Sequence, residues 1–185
     1  VLEEVRKINI EFSDRDLRRL IVPLVIEQLL AITVGLFDSV MVSHVGEAAI
    51  SAVSLVDTVN VLLVNAFAAL ATGGAVIAGQ YLGRREPEKA GPSGQQLLLF
   101  MGEASLLIMV LFYLGKGFVL GVVFGQVEPD VAAYANTYYL IVEASIPFLA
   151  VYSAGAALFR VMGNSGISMW VSTAMNVINV AGNSL

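Results

Sequence analysis

Five long apolar stretches, separated by short polar connections, dominate this sequence. They cover approximately residues 20–42, 49–82, 95–124, 131–159 and 161–185, and the last of them carries no charge. About 20 mostly apolar residues suffice for a helix to cross a bilayer. The 57% of hydrophobic and 14% of charged residues both depart toward lipid from the roughly 45–50% and 25% of soluble domains. The sequence therefore predicts an all-α integral membrane protein with five transmembrane helices.

The charged residues predict an orientation. Residues 1–19 hold ten of the 25 charged residues (10 basic plus 15 acidic) and are expected to form a cytoplasmic or interfacial segment before the transmembrane lobe of residues 20–185. Within this segment, Ser13 followed by Asp16 is typical of a helix N-cap. Nine of the ten Lys and Arg residues fall on the same side of the bilayer as this segment. The positive-inside rule then places the N-terminus in the cytoplasm, with the protein integral to the cell (inner) membrane.

Several classes of function are disfavoured by what the sequence lacks. Without cysteine it has no disulfide, thiolate metal site or cysteine nucleophile. His44, the single histidine, has no second ligand at metal-binding spacing, and no Walker-type phosphate loop is present. Asp38 and Asp57 lack the glycine-flanked context expected of an intramembrane aspartyl protease. A basic nucleic-acid footprint is also absent. We expect no enzyme, no nucleic-acid partner, and no cofactor or metal site.

Acidic residues within or near the predicted spans are the main candidates for chemistry. Apart from Lys116, thirteen residues after Glu103, no Lys or Arg lies close in sequence to pair with them. An unpaired carboxylate is costly inside a bilayer, so it takes a proton, binds a cation or faces water. The five acids are Glu27, Asp38, Asp57, Glu103 and Glu143.

Two of these acids share one face of the first span. Glu27 and Asp38 are eleven positions apart, which at 100° per residue is three turns plus about 20°, and about 16 Å along the axis. Either this face lines a polar cavity, or each acid reaches headgroup water at its own end of the span. Asp57, with Asn60, is expected near the outer end of the second span, at the interface.

Amides and other polar residues form stripes on two further spans. Asn176, Asn179 and Asn183 recur at +3 and +4 and fall within about 60° of each other on a helix. Such a stripe either bonds an acid on another helix or joins two helices by polar contacts. A similar stripe on the fourth span, consistent with either packing or cavity lining, comprises Asn136, Tyr139 and Glu143.

Small residues and prolines within the spans predict packing and bending. Glycines spaced four apart, as in Gly79 and Gly83, allow close helix packing. Pro23 and Pro147 are expected to bend or locally break their helices.

Several segments together resemble the multidrug and toxic compound extrusion (MATE) family of transporters. In the first span these are residues 23–30 (PLVIEQLL) and 34–46 (VGLFDSVMVSHVG). Residues 79–85 (GQYLGRR), 159–165 (FRVMGNS) and 179–183 (NVAGN) are similar to later parts of the same lobe. The similarity covers nearly the whole chain from about Asp16, in order and at matching spacing.

The resemblance implies twelve helices in two six-helix lobes, of which this chain would be five, and export of cationic or amphipathic organic compounds in exchange for H⁺ or Na⁺. It implies that Asp38 is the coupling carboxylate, with Asn179 and Asn183 as the polar pair of the fifth helix. In some members the second of that pair is an aspartate. The family's bend in the first helix corresponds to Pro23. Substrate-cavity candidates are Glu27, Gln28, Tyr139, Glu143 and Asn176.

Two alternatives remain open at this point. One is a lipid-linked precursor flippase of related fold, for which more basic residues in the spans are expected. The other is a membrane assembly subunit without transport activity, which leaves the shared face of Glu27 and Asp38 unexplained. Because the chain stops inside an apolar stretch, we expect the natural protein to continue into a sixth helix and a C-terminal lobe. Transport by residues 1–185 alone is not expected, since alternating access requires two halves.

Overall fold

The computed structural model of the chain describes residues 14–183, and within them it contains only helices and short connections. Helix α1 spans Asp14–Ser43, α2 spans Glu47–Gly83 and α3 spans Pro87–Leu114. A three-residue helix α4, Lys116–Phe118, leads into a π-helical turn, Val119–Val123. Helix α5 spans Pro129–Val161 and α6 spans Ser165–Asn183. The expected N-cap residue Ser13 lies outside the described residues, immediately before α1.

Helix boundaries follow local sequence rules. Proline occupies the first turn of both α3 and α5, where its missing N–H has no intrahelical partner to lose. Between α1 and α2, Gly46 adopts φ 132°, a conformation that requires glycine. The third helix ends at Leu114, before the predicted limit near residue 124, because Gly115 leaves helical geometry there. Pro23 and Pro147 lie inside α1 and α5, which both continue through them without a break.

Four of the helices, α1, α2, α3 and α5, are long and apolar enough to cross a membrane. This supports an integral membrane protein, as the sequence predicted. Helix α6 has 19 residues and is not among the four, because serine and asparagine side chains interrupt its apolar sequence. The five-span count therefore stays a prediction, as does the two-lobe architecture.

The helices form two groups. Helices α2, α3 and α5 pack extensively against one another and form a three-helix unit. Its core contains two apolar clusters, one around Phe67, Met101 and Ile146 and the other around Val56 and Ala135. Helices α1 and α6 pack mainly against each other and form a helix pair, which meets the three-helix unit through fewer contacts, between α1 and α2 and between α5 and α6. The interface between pair and unit is therefore the loosest part of the fold.

Close approaches and tyrosine hydrogen bonds hold the three-helix unit together. A Cβ on Gly79 of α2 would lie 3.3 Å from the Cβ of Val161 on α5, so the predicted close packing exists there, whereas Gly83 has nothing within 4 Å. The hydroxyl of Tyr113 on α3 donates to the carbonyl of Leu140 on α5 at 2.7 Å. The hydroxyl of Tyr139 on α5 donates in return to the carbonyl of Phe112 on α3 at 3.0 Å.

Candidate functional site

A cavity of about 570 Å³ lies at the interface between the helix pair and the three-helix unit. Its polar side chains come from four different helices: Asp38 from α1, Asp57 from α2, Tyr138 from α5 and Asn179 from α6. Apolar residues such as Val42 and Val53 form much of the remaining wall. We call this the Asp38 cavity. The α1–α6 combination that the sequence predicted for Asp38 and Asn179 is therefore present in the fold.

Asp57 is the residue of this cavity whose place the sequence did not predict. It lines the cavity and accepts a hydrogen bond of 3.0 Å from the Tyr138 hydroxyl to its Oδ1. Two carboxyl groups thus face one cavity, and like charges in one site repel each other. A proton or a small cation relieves that repulsion, and carboxylate, phenol and amide oxygens suit a hard cation. In residues 14–183, no three His, Cys, Asp or Glu side chains are grouped as a metal site.

Helices α1 and α6 run side by side in a constant register. Ser168 lies 141 positions after Glu27 and hydrogen-bonds to it. Asn179 lies the same 141 positions after Asp38, since 179 − 38 = 141, and the two line one cavity. Equal offsets require parallel helices of equal rise. Both acids of the α1 face therefore point toward α6, one at each of two depths.

The face of α6 that meets α1 is polar along its whole length. Three buried serines precede the asparagine stripe at the same +3 and +4 spacing, and all six positions fall within about 80° on the helix. The predicted polar stripe included only the asparagines, although the serines continue it at the same spacing in the sequence. The six residues are Ser165, Ser168, Ser172, Asn176, Asn179 and Asn183. The side chain of Asn183 lies outside the described residues.

Glu27 lies at the other end of the same interface, in what we call the Glu27 cluster: Glu27, Tyr152, Arg160 and Ser168. The Tyr152 hydroxyl donates to Glu27 Oε1 at 3.2 Å, and the Ser168 hydroxyl donates to Oε2 at 3.2 Å. The Arg160 guanidinium lies 3.8 Å from Glu27 Oε1. The side chain of Glu27 is only 16% exposed. The Glu27 carboxylate thus interacts with residues of α5 and α6 and does not line the Asp38 cavity.

No sequence pattern pairs Glu27 with Arg160, because the two are far apart along the chain and only the packing of α1 beside α5 and α6 brings them together. In the sequence Arg160 contributed to the predicted orientation and lay in the family-like segment 159–165, and neither observation indicated Glu27 as its partner. Tyr152 gave no signal of its own.

The remaining cavity candidates lie elsewhere than the Asp38 cavity. Gln28 is exposed on α1, beside Glu27. Tyr139 is fully buried in the three-helix unit. Glu143 is 1% exposed, with an Oε2 atom that has no hydrogen-bond partner. Asn176 is half-buried on α6, and its Nδ2 is buried without a partner. That any of these residues contacts a substrate stays a prediction.

Together, the apolar helices and a two-acid cavity between them define an all-helical integral membrane protein with a polar site inside its bundle. Residues 23–185 match the family model named MatE. The chain therefore belongs to the MatE family, which is a family of transporters and not of enzymes, and the resemblance found in the sequence is confirmed.

One curated relative is the "Uncharacterized transporter YisQ" of Bacillus subtilis (strain 168). It is 26% identical to this chain over 170 residues, which cover 87% of this chain and 35% of YisQ. The chain thus spans about a third of the length of that relative. No solved structure matches the chain significantly.

Proposed function

We propose that the protein to which this chain belongs is a secondary active exporter. It exchanges cationic or amphipathic organic compounds for H⁺ or Na⁺, and Asp38 is the coupling carboxylate. The observation that carries this proposal is the Asp38 cavity itself, in which Asp38 and Asp57 face one space between membrane helices, together with Asn179. Asn179 and Asn183 of α6 complete the coordination of the cation on Asp38. A second lobe of the same protein supplies the other half of the pathway.

This arrangement determines both the driving force for export and the conformational response of the helices to cation binding. A membrane potential of 100 mV supplies about 2.3 kcal/mol per charge, in addition to the concentration term. A bound cation removes the repulsion between Asp38 and Asp57, so the helix pair can move closer to the three-helix unit. The cavity then shrinks, and α1 bends at Pro23 as it moves. A substrate that occupied the cavity loses its site, which couples cation entry to substrate release.

The test is transport by the full-length protein in proteoliposomes, driven separately by a pH gradient and by a Na⁺ gradient. Export driven by either gradient identifies the coupling ion. Asp38→Asn is expected to abolish gradient-driven export while the protein still folds and inserts. Asp130→Asn is the matched control, because Asp130 is an exposed aspartate on the first turn of α5. Export by Asp38→Asn at the rate of the control contradicts the proposal.

We also propose that the N-terminus lies in the cytoplasm and that the membrane is the cell (inner) membrane. The basic residues before α1 and in the α2–α3 connection support this orientation. In intact cells, a membrane-impermeant thiol reagent is expected to label a cysteine at exposed Val45, in the α1–α2 connection, and not one at exposed Arg84. The reverse pattern contradicts the orientation.

A further inference from the structure

The interface between the helix pair and the three-helix unit is different at its two ends. At one end it holds the Asp38 cavity of about 570 Å³. At the other end the Glu27 cluster joins α1 to α5 and α6 by two hydrogen bonds and an ion pair. Arg84, Arg85 and Lys89 lie near the same end of the three-helix unit as Arg160, since α2 packs against the end of α5 where Gly79 meets Val161. The interface is thus open at the Asp38 cavity and held together at the Glu27 cluster. This difference suggests that the two helix groups alternate between two arrangements, with one end open in each.

The Glu27 cluster bridges the two helix groups directly. Glu27 belongs to the helix pair, whereas Tyr152 and Arg160 belong to the three-helix unit. Glu27 and Arg160 are the charged residues in this bridge, with side chains 16% and 37% exposed. An ion pair that is partly removed from water depends strongly on its geometry, and removing one partner leaves the other poorly compensated. Separation of the helix groups at this end therefore requires that the pair break.

We propose that Glu27 and Arg160 form a charged gate, which holds the basic end of this interface closed while the Asp38 cavity is open. Glu27 and Arg160 are then positioning residues, acting on the Asp38 site through the movement of the helix pair. The gate itself follows from the contacts. The effect of the gate on cation binding rests on the proposed function. A cation that stabilises the closed cavity also stabilises the open gate. Because coupling between two sites is reciprocal, opening the gate in turn strengthens cation binding.

Ser165 provides a direct reporter of this gate. It lies one turn before Ser168 on α6, is 1% exposed, and its hydroxyl has no hydrogen-bond partner to lose. Ser168 Oγ also lies 2.9 Å from the Ser165 carbonyl, so its single proton is shared between that carbonyl and Glu27 Oε2. A cysteine there is close in size to serine. Residues 1–185 contain no cysteine, and any cysteine in the rest of the full-length protein is first replaced by serine to remove background labelling.

The experiment measures how fast a water-soluble maleimide labels Ser165→Cys in the full-length protein in detergent. Adding Glu27→Gln or Arg160→Gln is expected to raise the labelling rate at least about tenfold, within the range of typical coupling energies. Adding Glu88→Gln, at an exposed glutamate in the first turn of α3, is the matched control and is expected to leave the rate unchanged. Met101→Cys, fully buried in the three-helix unit, must stay unlabelled in every background, which separates gate opening from general unfolding.

Transport supplies the second readout. Glu27→Gln and Arg160→Gln are expected to lower the cation concentration for half-maximal export by about tenfold, and Arg160→Lys to restore part of the wild-type value. If Ser165→Cys is labelled at the same rate with the gate substitutions as with the control substitution, the proposed gate is wrong, whatever the transport activity of Asp38→Asn. Normal export by Asp38→Asn overturns the proposed function and leaves the labelling result standing.

Discussion

Replacement of Tyr139 by phenylalanine tests whether this residue belongs to the core or to a substrate cavity. The polar stripe on the fourth span allowed cavity lining, whereas the fold places the ring in the core, with its hydroxyl 3.0 Å from the carbonyl of Phe112. Phe112 lies in the last turn of α3, where backbone carbonyls lack their regular helical partner. Tyr139 therefore supplies a hydrogen bond that the end of α3 cannot supply itself.

The expected magnitude follows from that bond. A neutral hydrogen bond contributes about 1 kcal/mol in soluble proteins and about 0.6 kcal/mol on average between membrane helices. A buried carbonyl left without a partner adds to the loss, so Tyr139→Phe is expected to lower the free energy of unfolding by about 1–2 kcal/mol. The substrate KM is expected to stay unchanged, because the ring does not line the Asp38 cavity.

Tyr138→Phe is the matched control, with the same atom removed from the adjacent residue. Its hydroxyl bonds Asp57 at the same 3.0 Å, but inside the Asp38 cavity. This variant is expected to change the cation dependence of export and to lower the free energy of unfolding by less than Tyr139→Phe does, because water in the open cavity can replace the lost bond to Asp57. Unfolding is followed by denaturant titration of the full-length protein in micelles, and KM in proteoliposomes. If Tyr139→Phe raises KM several-fold without loss of stability, the core placement of Tyr139 is refuted.

Three further substitutions test the packing. Phe67→Ala is expected to lower the free energy of unfolding in micelles by about 2 kcal/mol, which is the cavity part of the usual core penalty, because lipid already solvates apolar surface. Phe148→Ala, at a residue 78% exposed, is expected to change the free energy of unfolding little. Equal losses in the two variants would contradict the assigned burial. Gly79→Leu is expected to lower the melting temperature through a clash with α5, whereas Gly73→Leu is expected to leave it unchanged because Gly73 has open space around it. An unchanged melting temperature in Gly79→Leu would argue against the close approach of α2 and α5. Glu143→Gln is expected to maintain or raise the free energy of unfolding, since Oε2 has no hydrogen bond to lose, and a loss above about 2 kcal/mol would reveal a partner.

The sequence was informative wherever a property depends on local spacing. Apolar stretches of sufficient length predicted five spans, and four of the helices are long and apolar enough to cross a membrane. Proline and glycine marked several helix boundaries. The angle between Glu27 and Asp38 placed both acids on one face of the first helix, because residues eleven apart point nearly the same way on any α-helix. Family motifs at matching spacing identified the MatE family.

Spacing along one helix cannot say which helix lies opposite. The stripe containing Tyr139 and Glu143 was compatible with a cavity, yet α5 directs it into the three-helix unit. Asp57 was expected near the outer end of its span, and only the approach of α1, α5 and α6 shows that it lines the Asp38 cavity.

The sequence by itself thus determined the helices, their apolar character, the family, and the face on which each polar residue lies, because these properties depend on the chain within a few turns. Tertiary structure alone decided which faces meet. It brought Arg160 to Glu27 and Asp57 to the cavity of Asp38, and it left Glu143 buried with an unpartnered oxygen. The physical reason is that helix packing depends on the fit of whole surfaces, and that fit joins residues whose separation along the chain carries no periodic signal.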